Sequence, residues 1–61
     1  MKRVTPAKAR TYKRATVYFR NRHGELFPVV TIERKSPNWL LRLEDGREFL
    51  IDPSNMLEVD A

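Results

Sequence analysis

Short runs of β-branched and aromatic residues, separated by turn-forming residues, fill the chain from residue 16 onwards. Four runs stand out, at residues 16–19, 26–32, 39–43 and 48–51, and Gly, Pro, Asn or Asp residues lie between them. Runs of this length and composition favour strands joined by hairpin turns. Because the chain has 61 residues and no cysteine, one small core without disulfides has to supply its stability. The pattern predicts a single all-β domain built as an antiparallel meander.

The apolar positions select a register for the last hairpin. A two-residue turn at 45–46 mixes apolar and acidic side chains on one face, whereas a three-residue loop at 44–46 gives a continuous apolar face. In the second arrangement Gly46 is left-handed in a β-bulge. The predicted partners are Leu43 with Arg47, Leu41 with Phe49, and Trp39 with Ile51, and Leu40 and Leu50 lie on the outer face. This register favours a core position for Trp39 over the alternative of an exposed binding platform.

The first hairpin allows a similar argument, with an incorrect register as the open alternative. A bulge at Gly24 pairs Asn21 with Glu25, Phe19 with Phe27, and Val17 with Val29. Leu26, Val30 and Ile32 then face the other way. A long strand that is apolar on both faces and contains Pro28 is typical of a sharply bent strand that contributes to two packed sheets, as in small barrels.

The segment 39–59 resembles the last third of an SH3 domain. A Trp-led strand, a tight hairpin at 44–47, a second strand, a Pro53-Ser54-Asn55 turn and a short closing strand follow one another as in that family. The resemblance implies a five-stranded antiparallel SH3-like barrel at residues 15–61. The proline-peptide groove of the family would match Trp39, Pro53 and Asn55. However, Met56 stands where the family has a tyrosine, and the short turn at 21–24 replaces its long acidic loop, which argues against PxxP recognition.

Positive charge is concentrated at the N-terminal end. Residues 1–14, called the basic arm below, carry six Lys or Arg residues and no carboxylate, whereas the other residues carry six cations and eight carboxylates. The formal net charge of +4 therefore arises in the basic arm. Thr5-Pro6 is a good helix start, but residues 7–15 lack an apolar stripe. A flexible arm is therefore favoured over a short helix.

A basic segment attached to a nearly neutral body is typical of proteins that bind polyanions, because each neutralised phosphate releases a counterion. We expect nucleic acid, either DNA or RNA, bound mainly through phosphates and without sequence specificity. Tyr12 and Tyr18 lie among the cations and are candidates for stacking on unpaired bases, with ordinary packing as the alternative. The predicted nucleic-acid-binding residues are Lys2, Arg3, Lys8, Arg10, Tyr12, Lys13, Arg14, Tyr18, Arg20 and Arg22. A solubilising tail is the alternative role of the basic arm.

Groups suited to catalysis or metal binding are scarce. His23 is the only histidine, and it stands beside Gly24 in a predicted turn. Ser36 and Ser54 have no identifiable base, and the sequence contains no glycine-rich phosphate loop. The densest carboxylate group, at residues 44–48, surrounds a hairpin tip, where solvation is the ordinary state. We therefore expect no enzymatic activity, no cofactor and no metal site.

A protein-interaction module, such as an adaptor or a phage- or plasmid-type inhibitor of a host protein, is the second functional hypothesis. Leu40, Leu50 and Met56 are predicted to form an outer apolar patch. A homodimer through an exposed strand edge is compatible with either hypothesis. The sequence has no apolar run near the roughly 20 residues that span a bilayer, no secretory apolar region at its start, and no cysteine. We expect a soluble cytoplasmic protein without a membrane partner.

Overall fold

The computed structural model describes residues 1–60 as an all-β antiparallel structure with little helix. Its elements are β1 (Lys2–Val4), α1 (Pro6–Ala9), β2 (Thr16–Arg20), β3 (Leu26–Lys35), β4 (Asn38–Leu43), β5 (Glu48–Ile51) and β6 (Leu57–Asp60). The six strands form one sheet in the order β1-β6-β2-β3-β4-β5. The all-β class is confirmed. The expected five-stranded closed barrel is not, because a sixth strand is present and β1 and β5 are free edges. None of the described residues forms a helix with the length and apolarity needed to cross a membrane.

Both predicted hairpin registers are confirmed. In the last hairpin Trp39 pairs with Ile51 and Leu41 with Phe49, and the Leu43 N–H donates to the Arg47 carbonyl at 2.8 Å. The first hairpin pairs Val17 with Val29 and Phe19 with Phe27, and the Asn21 N–H donates to the Glu25 carbonyl at 3.0 Å. Gly24 and Gly46 have φ angles of 85° and 94°. Glycine at these positions avoids the steric cost that a side chain meets in the left-handed region.

The register of β3 against β4 shifts between Val29 and Thr31, immediately after Pro28. Val29 lies opposite Leu43 and Ile32 lies opposite Leu41, so Val29 and Ile32 share one face of the sheet. The prediction that Ile32 faces the opposite way was therefore wrong. One additional residue in β3 returns the following side chains to the inner face, because successive strand residues alternate between faces.

The inner face of the curled sheet carries the core. The buried members of one cluster are Val4, Ala9, Val17, Trp39, Leu41, Ile51, Leu57 and Val59. Strands β2 and β5 are not neighbours in the sheet, yet the rings of Phe19 and Phe49 stack with centroids 5.4 Å apart. The sheet must therefore curve strongly enough to bring these two strands face to face. Trp39 is buried, which confirms the core prediction.

The basic arm is part of the folded body, which corrects the expectation of a flexible arm. Its residues 2–4 form β1 and pair with β6. The Thr5 hydroxyl caps α1 by accepting from the Lys8 N–H at 3.2 Å, and Pro6 occupies the first turn. The helix ends at Ala9, well short of residue 15. Val4, Pro6 and Ala9 are buried, and these three contacts anchor a segment that has no continuous apolar stripe.

Candidate nucleic-acid interface

No cation of the basic arm has a carboxylate oxygen within 4 Å in the described part of the chain. Ion pairs within 4 Å join Arg20 to Glu58, Lys35 to Glu33, Arg42 to Glu48, and Arg47 to Asp45. Every cation in these pairs lies at residue 20 or later. The exposed residues Lys2, Arg3, Lys8, Arg10, Lys13, Arg14 and Arg22 are in none of them. Seven of the eight predicted phosphate-binding cations are therefore available to a ligand.

Arg20 differs from the other predicted cations because it is engaged in internal contacts. Its Nε and Nη2 donate to the two carboxylate oxygens of Glu58, the second at 3.0 Å, and its Nη1 donates to the Gly24 carbonyl at 2.8 Å. These hydrogen bonds raise the pKa of Arg20 and lower the pKa of Glu58. The sequence predicts Arg20 as a nucleic-acid-binding residue, but in the structure its side chain joins the first turn to β6.

A row of side chains crosses three strands on the outer face of the sheet. Arg3 on β1 lies opposite Glu58 on β6, which lies opposite Tyr18 on β2. Arg3 also lines a cleft with Arg20, so the strand formed by the basic arm does bring a cation beside the first hairpin. Tyr18 is half-buried in this row. Glu58 reduces the local positive charge because it lies between two arginines.

Arg10 and Lys13 line a separate cleft of 390 Å³ that contains part of the inner face, including Val29 and Ile32. The Arg10 guanidinium lies 5.7 Å from the centroid of the Trp39 ring, at cation–π distance. Tyr12 packs against the core cluster, which matches the packing alternative for this residue. Two pairs of predicted cations therefore line different clefts. Arg3 and Arg20 line the cleft beside β1 and the first hairpin, and Arg10 and Lys13 line the cleft beside α1.

A third cleft, called the phenylalanine cleft below, was not predicted. It contains Phe19, Phe27 and Phe49, and the Arg47 guanidinium lies 4.8 Å from the Phe27 centroid and 5.7 Å from the Phe49 centroid. The hairpin registers, which the sequence predicts, place all three rings on the inner face and were the only sequence signal for this cleft. Their meeting was missed because Phe49 reaches Phe19 only through the curvature of the sheet, and strand pairing alone does not specify that curvature.

Acidic residues of the last hairpin pair with neighbouring arginines, and the histidine lies apart from them in the first turn. Asp45 accepts from the Arg47 backbone and side chain, which lowers the pKa of Asp45, and Glu48 pairs with Arg42 at 2.7 Å. His23 is exposed. Across residues 1–60, no three His, Cys, Asp or Glu side chains lie close enough together to hold a metal ion.

Comparison with known proteins gave no match: no protein-family model, no curated protein and no solved structure is significantly similar to this chain.

The chemistry of the site therefore has to be derived from its own side chains. Exposed guanidinium and ammonium groups without acidic partners attract anions, and guanidinium groups bind phosphate oxygens with paired hydrogen bonds. Half-buried phenylalanine rings offer flat apolar surfaces. The arrangement supports binding of an anionic polymer that carries aromatic groups.

Proposed function

We propose that this protein binds nucleic acid, DNA or RNA, through phosphate contacts made by the basic arm and the first hairpin, largely without sequence specificity, and that it is not an enzyme. The positions of the internally paired cations in the sequence support this most directly. All four ion pairs within residues 1–60 contain a cation from residue 20 onwards, and none contains one of the six cations of the basic arm. Four of the six cations outside the arm are paired internally, so most of the unpaired cations within residues 1–60 belong to the arm.

The expected affinity has a strong salt dependence. Each phosphate neutralised by a bound cation releases condensed counterions, which gives a slope of about −0.9 per contact in log affinity against log salt on duplex DNA. If four to six cations engage phosphates, the slope is roughly −4 to −5. Binding of this kind positions a protein on the polymer without reading its bases.

Two triple variants with equal net charge test whether the basic arm is the contact surface. The first carries Lys8→Gln, Lys13→Gln and Arg14→Gln, and the second carries Arg34→Gln, Lys35→Gln and Arg42→Gln. All six residues are exposed, and each variant lowers the formal net charge from +4 to +1. Each protein is titrated against duplex DNA, single-stranded DNA and RNA at several salt concentrations.

We expect the arm variant to bind weakly with a slope that is less steep by about 2 to 3, at about 0.9 per lost contact. The second variant should keep a slope near that of the parent, because it removes cations far from the arm in sequence, two of which have acidic partners. Equal losses in the two variants would mean that only the total charge matters. A parent slope near zero for all three nucleic acids would refute the proposed function.

We further propose that the curled sheet is an SH3-like barrel left open between β1 and β5, in a cytoplasmic protein. The resemblance of segment 39–59 supports the architecture. Further support comes from the return of β6 beside β2 and from the stacking of Phe19 on Phe49. A cysteine-free chain agrees with a reducing compartment.

A protein-interaction module is the second candidate function, and exposed apolar side chains favour it. Leu40 and Leu50 are direct partners on the outer face, Leu50 is 59% exposed, and Met56 is 38% exposed. A pull-down after nuclease treatment distinguishes the two functions. A protein partner that survives the nuclease but is lost with Leu50→Ser would favour this candidate. Loss of all partners after nuclease treatment favours nucleic acid.

Homodimerisation through β1 or β5 is compatible with both functions, because each is an edge of the sheet with unpaired backbone groups. Sedimentation at two protein concentrations measures it directly.

A further inference from the structure

The phenylalanine cleft is a part of the inner face that the basic arm does not cover. Val17, Leu41 and Val59 are buried at the end where the arm packs, whereas Phe19, Phe27 and Phe49 are only half-buried. The cleft has a volume of 590 Å³, within the range of about 300–1,000 Å³ typical of small-ligand sites. Three half-buried rings therefore line an open part of this face.

The polar groups around these rings are suited to an anion. No Asp or Glu side chain is among the residues that line the cleft. Arg20, Arg22 and His23 also line it. Arg20 is paired with Glu58, whereas Arg22 has no ion-pair partner within residues 1–60. Asn21 and Asn55 add amide groups that both donate and accept hydrogen bonds.

Arg47 connects the apolar and polar parts of the cleft. Its guanidinium lies over Phe27 and Phe49, and its Nε donates to Asp45 at 2.7 Å, which holds the side chain in place. Its two Nη atoms have no hydrogen-bond partner among the described residues. They remain available to a phosphate oxygen or to the edge of a base.

We propose that the phenylalanine cleft holds one unpaired nucleobase of a single-stranded nucleic acid, with Arg47 and Arg22 contacting the adjoining phosphate or the base edge. This inference rests on the proposed function and narrows its ligand to a strand with accessible bases. Aromatic side chains bind unpaired bases by stacking, and a stacked base contributes on the order of 10-fold in affinity. A duplex keeps its bases stacked on one another, so it engages the phosphate-binding cations but not the cleft.

The first test uses the unaltered protein and two oligonucleotides of equal length. One is an oligothymidine, and the other is an abasic strand with the same number of phosphates. Fluorescence anisotropy at fixed salt should give roughly 10-fold tighter binding of oligothymidine, whereas the salt slopes of the two strands should be equal because their charges are the same. Equal affinity for the two strands would overturn the proposed base site while leaving phosphate binding intact. Lack of binding to any nucleic acid would overturn both proposals.

The second test identifies the cleft by substitution. Phe49→Leu keeps an apolar side chain but removes the flat ring, and Leu50→Ala removes an exposed apolar side chain from the outer face of the same strand as a control. We expect Phe49→Leu to lose roughly 10-fold in affinity for oligothymidine, with affinities for the abasic strand and for duplex DNA unchanged. Leu50→Ala should bind all three as the parent does. The reverse pattern would place the stacking surface outside the cleft.

Discussion

Substitution of Ala9 by Gln tests whether the basic arm is docked on the sheet in solution. Ala9 is completely buried in the core cluster, whereas Ala7, two residues earlier in α1, is exposed. The same change at the two positions keeps the net charge and alters helix propensity by only a few tenths of a kcal/mol. Ala7→Gln is therefore a matched control for Ala9→Gln. Both variants keep every cation of the arm.

The expected cost follows from the surroundings of Ala9. Extra side-chain atoms in a close-packed site cost about 1–3 kcal/mol, and a buried amide without hydrogen-bond partners costs about 1–3 kcal/mol more. The free energy of unfolding should therefore fall by about 2–6 kcal/mol. A domain of 61 residues has a total stability of roughly 3–9 kcal/mol. Ala9→Gln is thus expected to remove a large fraction of it.

Thermal and urea unfolding measure this difference, with far-UV circular dichroism and Trp39 fluorescence as probes. Trp39 is the only tryptophan, and it lies in the same core cluster as Ala9. Since 1 kcal/mol shifts the Tm of a domain of this size by about 4–8 °C, Ala9→Gln should melt at least 8 °C below Ala7→Gln. Melting temperatures within about 2 °C of each other would refute the docked arm. They would instead support a freely moving arm.

Three further predictions concern the body of the protein, and chemical or thermal unfolding checks each of them. Gly46→Ala should lower the free energy of unfolding by about 1–2 kcal/mol. Because φ is 94° and the added Cβ meets no atom within 4 Å, this loss comes from backbone strain alone. An unchanged Tm would contradict the bulged turn. Leu41→Ala, at a completely buried position, should cost about 2–5 kcal/mol, and a loss below 1 kcal/mol would contradict the packing of the core. Hydrogen bonds from Arg20 lower the pKa of Glu58 in the folded state. The Glu58 carboxylate therefore stabilises the fold at neutral pH. This stabilisation is lost as the pH falls below the usual glutamate pKa of about 4.3 and through the lower pKa of the folded state. Between about pH 6 and pH 3, the Tm of Glu58→Gln should therefore fall by less than the Tm of the parent. Equal decreases in Tm would contradict the pairing with Arg20.

The strand registers were predictable because they depend on local rules. A side-chain period of two and one buried face make a one-residue slip costly, so the apolar pattern and the two glycines were sufficient. The same rule failed at Ile32, where the bulge adds one residue to β3. Pro28 indicated that β3 bends, but the residue at which the register changes depends on packing against β4. Sequence alone does not specify that packing.

Docking of the basic arm was not predictable from its periodicity. Its anchors, Val4, Pro6 and Ala9, do not form a stripe on one helix, because Val4 belongs to a strand and α1 has a single turn. Each anchor is small, and its burial depends on the shape of the curled sheet that receives it. The sequence shows which residues are charged, but only the fold shows which of these charges lie together on the surface.

A docked arm changes how the proposed binding is expected to work. A flexible basic segment loses conformational entropy when it binds, whereas here β1 and α1 are already ordered when the protein folds. Binding therefore has to overcome a smaller ordering cost, but the cations can no longer rearrange to follow any polymer. Arg3 lies beside the first hairpin and Arg10 and Lys13 line a different cleft, so a single strand has to pass both clefts to engage all of them. The number of unpaired cations consequently sets the largest salt slope that is possible, at about 0.9 per contact. The path of the strand between the clefts determines how many of these cations contact phosphates.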